Sequence, residues 1–323
     1  MQKILIIKTS SLGDVVHMLP AVYDAAQQHK NIDIDWLVEE NFQEVPRWSA
    51  YVNRVIPVAL RRWRKTPFAK QTRQEIRACK QQLQAKNYDL VVDTQGLLKS
   101  AILTRWVKSG ASIWGYDKHS IREPLASYFY QHKASMSRNQ HAIHRNRQLF
   151  AQALSYSLDD MPLNYGIDLT QFHNPHDFID KHYIVALHGT SKANKEWSME
   201  AWLKLIQAMA ALDIYVLFPW GNNREKQRAE QLSQSSEYAI TLPKSTLSEL
   251  ANIIANAKAV IGMDTGLMHI AAALNKQGIG LYPATQTVLT GVLTAGKTNL
   301  IKNIEAEATK NIDGIINQLT VML

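Results

Sequence analysis

KILIIKTSSLGD, residues 3–14, places a short apolar strand directly before a small polar loop, and a helical pattern runs on from Val15 to Gln28. Short β-branched runs followed by helical stretches recur along the N-terminal half. They are IDWLV (34–38), RVIPV (54–58) and DLVVD (89–93), with helical patterns at 42–48, 70–85 and 97–106. Strands that alternate with helices are typical of βαβ units. The sequence therefore predicts an α/β domain built on a parallel sheet.

The same alternation restarts after SLDDMPLNYGIDLTQFHNPHD (157–177), a polar stretch that we interpret as an interdomain linker. The later strand patterns are YIVALHG, IYVLFPW and AVIGM, with helical patterns at 198–211, 224–234, 246–257 and 266–274. A chain of 323 residues is long enough for two domains. We predict two parallel-sheet domains, residues 1–165 and 178–323, which face a cleft. The last helical stretch, about 305–319, fits either domain.

The composition narrows the class of protein. Hydrophobic residues make up 46% of the chain and charged residues 20%, as in ordinary globular proteins. The single cysteine, Cys79, excludes an intramolecular disulfide and fits a reducing cytoplasm. No stretch is apolar over enough residues to span a bilayer, so any membrane contact is expected to be peripheral. Lysine and arginine outnumber aspartate and glutamate by 36 to 28, which favours an anionic partner such as nucleic acid, anionic lipid or an acidic sugar.

The loop after the first strand carries candidate catalytic chemistry. Ligands of open α/β sheets bind beyond the carboxyl ends of the strands, which is where this loop lies. Thr9, Ser10 and Gly13 offer hydroxyls, backbone N–H groups and a tight turn, and Asp14 stands where the next helix begins. An acidic residue at a helix start is often only a cap. A carboxylate here can also deprotonate a sugar hydroxyl as a general base.

A second candidate loop follows the strand IVALHG. Thr190, Ser191 and Lys195 lie in it, and hydroxyls beside lysines hydrogen-bond phosphate oxygens and offset their charge. Lysines in loops are usually only solvated, so this segment is a weak signal alone.

A third candidate loop follows AVIGM and opens a helix. Thr265 and Gly266 at a helix start favour an anion, because the first N–H groups and the helix dipole point toward it. Asp264 precedes them and His269 follows about one turn later, although a lone histidine is more often a packed one. The combination indicates a phosphate-bearing ligand more strongly than any member does.

Two patterns match known binding motifs but are not interpreted as binding sites. Residues 291–298, GVLTAGKT, match the P-loop spacing, yet PATQTVLT precedes them and the β-like NLIKN follows, so the required strand and helix are missing. Asp33 and Asp35 resemble a metal-binding Asp-x-Asp, but they lie on or beside a predicted strand, where we expect their carboxylates to face solvent. No G-x-G-x-x-G occurs in the chain, which disfavours a dinucleotide-dependent dehydrogenase.

Six longer stretches together resemble the heptosyltransferase family. They are KILIIKTSSLGDVVHMLPA (3–21), RRWRK (61–65), DTQGLLKSA (93–101), REPLASYFY (122–130), FPWGNNREKQRAEQL (218–232) and GMDTGLMHIAAAL (262–274). The match spans almost the whole chain, and RRWRK and REPLASYFY most resemble the branch that acts first in lipopolysaccharide core assembly. The resemblance implies a GT-B fold of two Rossmann-like, doubly wound domains that face a cleft. It also implies inverting transfer of heptose from ADP-L-glycero-β-D-manno-heptose to the Kdo sugar of Kdo2-lipid A, with no metal or other cofactor.

The resemblance also assigns roles to individual residues. Asp14 matches the catalytic base of the family. The donor side matches Thr190, Ser191, Lys195, Glu225, Asp264, Thr265, Gly266 and His269. The acceptor side, where basic groups would meet Kdo carboxylates and lipid A phosphates, matches Thr9, Ser10, Gly13, Arg61, Arg64, Lys65, Gln95 and Arg122. The implied location is the cytoplasmic face of the inner membrane, with peripheral attachment.

Three alternatives stay open on the sequence. A related heptosyltransferase would add a later core sugar to a heptose-terminated acceptor. A P-loop hydrolase would use Gly296, Lys297 and Thr298 to hydrolyse ATP with magnesium. A basic nucleic-acid-binding protein would bind with an affinity that falls steeply with salt. Neither of the last two accounts for both glycine-bearing loops.

Overall fold

The computed structural model describes residues 1–172, 182–190, 196–284, 286–296 and 298–323. The chain divides into two compact units, residues 1–168 and 169–323. Each unit is an α/β domain with its own parallel sheet.

The N-terminal unit has a doubly wound sheet. Six strands pair in the order β3-β2-β1-β4-β5-β6, and every pair is parallel. The strands are β1 (Gln2–Ile7), β2 (Ile32–Glu39), β3 (Val52–Val58), β4 (Leu90–Asp93), β5 (Ser112–Tyr116) and β6 (His132–Ala134). The helices are α1 (Leu12–Val16), α2 (Leu19–Gln28), α3 (Glu44–Arg47), α4 (Leu60–Trp63), α5 (Lys70–Gln84), α6 (Leu98–Leu103) and α7 (Ala142–Leu154). Short 3-10 turns cover Glu40–Phe42, Thr104–Trp106 and Pro124–Phe129.

The described part of the C-terminal unit repeats this topology. Its six strands pair in parallel in the order β12-β11-β10-β7-β8-β9. They are β7 (Tyr183–Leu187), β8 (Tyr215–Phe218), β9 (Ala239–Thr241), β10 (Ala259–Met263), β11 (Gly278–Tyr282) and β12 (Ile301–Glu305). The helices are α8 (Met199–Ala210), α9 (Asn223–Ser233), α10 (Leu247–Asn256), α11 (Gly266–Ala273), α12 (Thr287–Thr290) and α13 (Ile312–Met322). Further 3-10 turns cover Leu169–Gln171 and Ala306–Lys310.

The central strands are apolar on both faces because helices cover both sides of each sheet. Every residue of β4, β7 and β10 is buried, as are the last four residues of β1. The continuous apolar runs that predicted these strands are therefore the inner strands of the two sheets.

The helical pattern from Val15 to Gln28 forms two helices instead of one. α1 ends at Val16, and α2 begins at Leu19 with Pro20 in its first turn. Proline has no N–H to donate to the preceding turn, so a continuous helix breaks at this point.

The helix predicted at 305–319 begins later than expected. Residues 301–305 pair with β11 as the strand β12, a 3-10 turn follows, and α13 begins at Ile312. Ile315, Ile316 and Leu319 lie in the hydrophobic core of the C-terminal unit, so α13 packs on that unit. None of the described helices is both long and apolar enough to cross a membrane.

Four strands of the described chain, β5, β6, β9 and β11, were absent from the sequence prediction. β6 and β9 have three residues each and lie at sheet edges, where little pattern is available. Gly115 interrupts β5, and Gly278 and Gly280 interrupt β11. Glycine weakens a strand pattern because it contributes no side chain to either face of a sheet.

The expectation that Asp33 and Asp35 face solvent was wrong. Both carboxylates are buried on β2, and Lys86 Nζ lies 2.7 Å from Asp33 Oδ2 and 3.0 Å from Asp35 Oδ1. Arg54 pairs with Asp35 Oδ2 at 2.9 Å, and the Tyr88 hydroxyl donates to the same oxygen at 2.6 Å. The pair is therefore part of a structural ion-pair cluster that joins β2 to β3 and to the connection between α5 and β4.

Part of the predicted linker packs on the N-terminal unit. Tyr165 is buried, and Ile167 forms an isolated antiparallel bridge with Ser49. The backbone carbonyl of Met161 accepts a hydrogen bond from Arg147 at 2.9 Å. The later residues of the stretch, 173–177, lie outside the described residues.

Candidate active site

Both sheets reverse their strand order at equivalent places. The reversal lies between β1 and β4 in the N-terminal unit and between β7 and β10 in the C-terminal unit. Doubly wound sheets bind ligands in the crevice beyond the carboxyl ends of the strands at such a point. The loops predicted to carry chemistry follow β1, β7 and β10, and the loop after β4 joins them. The topology thus groups these loops into two sites, one in each unit.

Asp14 is held by the loop that precedes it. It is the third residue of α1, and its Oδ2 accepts hydrogen bonds from the Ser11 backbone N–H at 2.8 Å and the Ser11 hydroxyl at 2.7 Å. The capping role weighed against catalysis is therefore present, but it uses only Oδ2. Oδ1 accepts no hydrogen bond from the described residues, and the side chain is half-buried. One carboxylate oxygen thus remains available for a substrate proton.

The loop after β4 is organised by Asp93. Its Oδ1 accepts the backbone N–H groups of Gln95 at 2.9 Å and Gly96 at 3.3 Å. Its Oδ2 accepts the hydroxyls of Ser100 at 2.9 Å and Tyr130 at 2.8 Å. Burial raises the pKa of Asp93, while these four hydrogen bonds act in the opposite direction. Gly96 has a φ of 65°, so the turn that presents both N–H groups needs glycine.

Gln95 ties this loop to the loop after β1. Its Oε1 accepts the backbone N–H groups of Thr9 at 3.1 Å and Ser10 at 3.0 Å. The two loops are thereby fixed to each other at the point where the strand order reverses. Gln95, predicted on the acceptor side, thus positions two other predicted acceptor-side residues.

Lys8 lies buried directly after β1 and was not selected from the sequence. Its Nζ donates a hydrogen bond to the backbone carbonyl of Thr94 at 3.0 Å. Burial lowers the pKa of Lys8, the carboxylates of Asp14 and Asp93 act to raise it, and the guanidinium of Arg145 acts to lower it. The Lys8 amine is therefore held within electrostatic range of Asp14.

A cavity of about 150 Å³ lies beside these groups, entirely within the N-terminal unit. Asp14 lines it together with three basic side chains, Lys8, Arg122 and Arg145. Guanidinium and ammonium groups match carboxylate and phosphate oxygens. This wall therefore suits an anionic ligand that also presents a hydroxyl.

Arg145 is oriented by the residues around it. Its guanidinium lies 4.9 Å from the ring centroid of Tyr116 and donates to the backbone carbonyl of Ser120. The Tyr116 hydroxyl donates to Asn146 Oδ1 at 3.1 Å, and Asn146 Nδ2 donates to the backbone carbonyl of His17 at 3.1 Å. These contacts connect α7 to β5 and to the end of α1. They place the Arg145 side chain at the cavity wall.

The basic cluster at 61–65 is anchored by its two inner members. Arg62 pairs with Glu40 at 2.9 Å and Glu75 at 2.8 Å, and Trp63 Nε1 donates to Glu75 Oε2 at 2.6 Å. The cluster follows β3, at the same edge of the sheet as the loops after β1 and β4. The three members predicted on the acceptor side are exposed and do not line the cavity: Arg61, Arg64 and Lys65.

In the C-terminal unit, Glu225 lies against the loop after β7. Its Oε2 accepts the backbone N–H of Gly221 at 2.7 Å, and its Oε1 accepts the side-chain amide of Asn222 at 2.7 Å. A Cβ built on Gly189 would lie 2.7 Å from the carboxyl carbon of Glu225, so a larger residue here would push this carboxylate from its position. Thr190 follows, and its hydroxyl is buried with no hydrogen-bond partner among the described residues. An unpaired buried hydroxyl beside a fixed carboxylate fits a binding site.

His188 occupies the position after β7 that Lys8 occupies after β1. Its Nε2 donates to the backbone carbonyl of Pro219 at 3.1 Å, and its Nδ1 has no partner among the described residues. Burial and the nearby guanidinium of Arg228 lower the pKa of His188 to about 4, although the bond to Pro219 acts to raise it. The imidazole is therefore neutral at physiological pH.

The helix α11 begins without a side-chain cap. Thr265 is its N-cap residue, with a φ of −143°, and its side chain makes no capping hydrogen bond. The first N–H groups of a helix lack intrahelical acceptors and attract anions. Thr265, Gly266 and Asp264 are half-buried, and His269 is buried one turn further along. The predicted donor-side residues of this loop thus surround a helix N-terminus beyond β10.

Two predicted phosphate ligands, Ser191 and Lys195, lie outside the described residues, so their roles stay predictions. Lys297 also lies outside them. The described residues of 291–298 form an irregular loop between α12 and β12, in which Thr294 N–H donates to Asn299 Oδ1 at 3.0 Å. No helix opens at Thr298. The described surroundings therefore lack the strand and helix that a P-loop requires.

Sequence reasoning missed Lys8 and Arg145 as site residues for different reasons. Lys8 could have been selected, because it follows four buried apolar residues and begins the candidate loop. Arg145 lies on α7, more than 130 residues from Lys8 along the chain, so only the tertiary fold brings the two together. No local pattern distinguishes it from the other basic residues of the chain.

Comparison with known proteins places the chain in a family. The sequence profile described as Glycosyltransferase family 9 (heptosyltransferase) matches residues 76–318. Lipopolysaccharide heptosyltransferase 1 of Pseudomonas aeruginosa is 44% identical over 298 residues, which cover 92% of this chain and 83% of that protein. The protein of the same name from Escherichia coli K12 is 43% identical over 314 residues, which cover 95% of this chain and 97% of that protein.

Solved structures agree with this assignment. E. coli heptosyltransferase WaaC with ADP aligns with a TM-score of 0.92 at 40% identity, over 100% of both chains. E. coli ADP-heptose lps heptosyltransferase II shares the fold, with a TM-score of 0.79 at 17% identity over 99% of this chain and 98% of that one. The predicted fold class, two doubly wound parallel-sheet domains of the GT-B type, is confirmed. The chain belongs to glycosyltransferase family 9, the heptosyltransferases.

Proposed function

We propose that the protein moves L-glycero-D-manno-heptose from ADP-heptose to the Kdo residue of Kdo2-lipid A in lipopolysaccharide inner-core synthesis. The proposal is carried by Asp14 at a cavity lined by basic side chains, where Ser11 fixes one carboxylate oxygen and the other accepts no hydrogen bond from the described residues. Family membership supports a heptose donor, and the relative WaaC has been solved with ADP-2-deoxy-2-fluoro heptose at 39% identity.

The proposed reaction is a single displacement at the anomeric carbon. Asp14 accepts the proton of an acceptor hydroxyl while that oxygen attacks from the face opposite ADP. The new carbon–oxygen bond forms as the bond to the diphosphate breaks, which inverts the configuration. The proton then leaves the carboxyl group for solvent. General-base assistance of this kind contributes about 10² to 10⁴ in rate.

On the donor side, we propose that the diphosphate of ADP binds at the N-terminus of α11. Negative charge grows on this group as the bond breaks, and the N–H groups near Thr265 and Gly266 lie where a helix dipole favours an anion. Lys195 would add its positive charge there, and the carboxylate of Glu225 suits a ribose hydroxyl. The helix N-terminus and Lys195 would together offset the charge that a divalent cation offsets in other enzymes. We therefore propose that the reaction needs no metal.

On the acceptor side, we propose that the Kdo carboxylate binds at the cavity through Arg122, with Lys8 and Arg145 beside it. The exposed cluster of Arg61, Arg64 and Lys65 would meet the lipid A phosphates. A lipid-linked acceptor places the enzyme at the cytoplasmic face of the inner membrane, peripherally attached.

The test is ADP release by the purified protein given ADP-heptose and Kdo2-lipid A, measured with and without EDTA. We expect acceptor-dependent release that EDTA does not change and that Asp14→Ala abolishes. Asp159→Ala, which removes a carboxylate from an exposed turn, serves as the matched control and should keep full activity. Release only with a heptose-terminated acceptor would assign the enzyme to a later step of core assembly. No release with either acceptor would reject the proposed reaction.

A further inference from the structure

The N-terminal unit exposes large apolar side chains on two short helical segments that pack against each other. On α6, Leu98 and Ile102 are 37% and 44% exposed and lie four residues apart, on one face of the helix. On the 3-10 turn 124–129, Leu125 and Tyr128 are 63% and 72% exposed and lie three residues apart, which is one turn of such a helix. We call these four side chains the apolar ridge.

The two segments of the ridge are fixed to each other. The backbone N–H of Leu98 donates to the carboxylate of Glu123 at 2.7 Å, directly before the 3-10 turn. The guanidinium of Arg105 lies 5.6 Å from the ring centroid of Phe129. The ridge is therefore a formed surface of the fold.

Positive charge surrounds the ridge. Residues 97–108 and 121–133 contain five lysines and arginines and a single acid, Glu123, whose carboxylate is engaged by Leu98. Lys133 Nζ lies 6.0 Å from the ring centroid of Tyr128, at the edge of the ridge. All five basic residues are exposed: Lys99, Arg105, Lys108, Arg122 and Lys133.

The segment that follows α6 contacts the basic cluster at 61–65. Trp106, which follows α6, lies 6.4 Å from Trp63 between ring centroids. Phe68, three residues beyond Lys65, is 87% exposed. An exposed aromatic side chain beside lysines and arginines is typical of a residue that enters the headgroup region of a membrane.

We propose that the apolar ridge and Phe68 form a docking surface for an anionic phospholipid bilayer. Apolar side chains enter the boundary between headgroups and acyl chains, and the surrounding basic residues bind anionic lipid headgroups. The partner rests on the proposed function, because a lipid-linked acceptor would have to be taken from a bilayer. The geometry suits this, since Ile121 and Arg122 line the catalytic cavity directly before the 3-10 turn of the ridge.

The test is flotation of the full chain with vesicles that contain no acceptor lipid. We expect binding to phosphatidylethanolamine vesicles with about a quarter phosphatidylglycerol and little binding to phosphatidylcholine alone. Binding should weaken at least about fivefold between about 50 and about 300 mM salt, because salt screens the basic residues. The double variant Leu125→Ser/Tyr128→Ser, and separately Phe68→Ser, should each weaken binding about tenfold.

The matched control is Val321→Ser. Val321 is 88% exposed on α13, a helix that carries no lysine or arginine, so this change should leave vesicle binding unaltered. Three results would overturn the proposal: wild-type binding that the ridge variants do not weaken, binding only when the vesicles contain the acceptor lipid, and self-association that the double variant abolishes. The second would make the ridge a site for the acyl chains of the acceptor, and the third a contact between two copies.

Activity separates this proposal from the proposed function. The double variant should keep wild-type turnover with a water-soluble, deacylated Kdo acceptor and lose rate only with vesicle-borne Kdo2-lipid A. Loss of turnover with the soluble acceptor would show that the ridge acts on the catalytic site and would overturn docking as its role. A wild-type protein that transfers heptose to neither acceptor, yet binds vesicles through the ridge, would reject the reaction and support the docking surface.

Discussion

The two units share one strand order, but the candidate site of one consists mainly of side chains and that of the other mainly of backbone groups. At the reversal point of the N-terminal unit, the site consists mainly of side chains. Asp93 and Gln95 fix the loops, and Asp14 and Lys8 line the cavity. At the reversal point of the C-terminal unit, backbone dominates, with the N-terminus of α11 and the close approach allowed by Gly189. The same topology therefore supports a carboxylate beside a basic cavity in one unit and an uncapped helix N-terminus in the other.

The residue directly after the first strand of each unit shows the contrast most clearly. Burial lowers the pKa of Lys8, while the carboxylates of Asp14 and Asp93 act to raise it. His188 lies buried beside Arg228 and is neutral. The Lys8 amine therefore lies within electrostatic range of Asp14, whereas the neutral imidazole of His188 leaves the local potential to the helix N-terminus and to the ligand. The difference fits the proposal that the general base lies in the N-terminal unit.

Asp14→Asn should give the largest loss of activity. It should leave donor binding, which is proposed for the other unit, unchanged. The carboxamide oxygen can still accept the Ser11 hydrogen bonds, so the fold is retained, but the base is lost. We expect kcat to fall about 10³-fold. The affinity for ADP-heptose, measured by calorimetry, should not change, because the donor is proposed to bind in the other unit.

Ser11→Ala is the matched control for that change. It removes the 2.7 Å hydroxyl contact to Asp14 but keeps the 2.8 Å backbone contact and the carboxylate. We expect kcat to fall less than about tenfold, the loss of one hydrogen bond. Equal losses in the two variants would mean that Asp14 acts mainly as a cap.

The neutral state of His188 predicts a pH dependence of stability that belongs to the C-terminal unit. Because its pKa is about 4 in the fold, against 6.5 ordinarily, the unfolded chain takes up this proton first as the pH falls. The free energy of unfolding is therefore unaffected by this group above pH 6.5. It falls by up to about 3 kcal/mol as the pH drops from 6.5 to 4. Urea unfolding of wild type and His188→Gln across this range should show the slope diminish in the variant. The exposed His119→Gln should keep the full slope; a variant slope like that of wild type would mean that His188 titrates normally.

Gly189→Ala tests the backbone character of the C-terminal site. The added methyl would lie 2.7 Å from the carboxyl carbon of Glu225 and should displace that side chain. We expect the KM for ADP-heptose to rise about tenfold, roughly one charged hydrogen bond, with the acceptor KM unchanged. Gly221→Ala touches the same carboxylate, but at 3.4 Å, an ordinary contact, and should have little effect. An increase in acceptor KM in the first variant would show that the two sites are not separable in this way.

The sequence predicted the parts of the fold and site that depend on local pattern. Continuous apolar runs located the inner strands, and the loops after β1, β7 and β10 were found because strand ends carry ligands. It failed where a pattern is short or where a partner is distant. β6 and β9 have three residues each, and the burial of Asp33 depends on Lys86, more than 50 residues away.

The same limit applies to the proposed catalytic groups. Asp14 could be predicted because its strand, loop and helix are contiguous in sequence. The alignment of Gln95 with Thr9, by contrast, follows from β1 and β4 being neighbours in the sheet, which alternation alone does not establish. Sequence therefore predicted which loops carry chemistry, whereas the tertiary fold determined which side chains from other elements complete each site.

The smallest expected effects come from two threonines of the C-terminal unit that both precede helices. Thr246 caps α10, where its side chain accepts the backbone N–H of Glu249 at 3.2 Å, whereas the Thr265 side chain makes no capping bond at α11. Thr246→Val should therefore cost about 1 kcal/mol of stability and leave the donor KM unchanged. Thr265→Val should leave the unfolding midpoint unchanged and raise the donor KM about fivefold, because its hydroxyl is free of a capping task and lies where the diphosphate is proposed to bind. Thermal unfolding and ADP-release kinetics on the two variants measure both quantities. If Thr265→Val instead lowered stability with no change in KM, the N-terminus of α11 would be an ordinary helix start, and the contrast between a side-chain site and a backbone site would lose its support in the C-terminal unit.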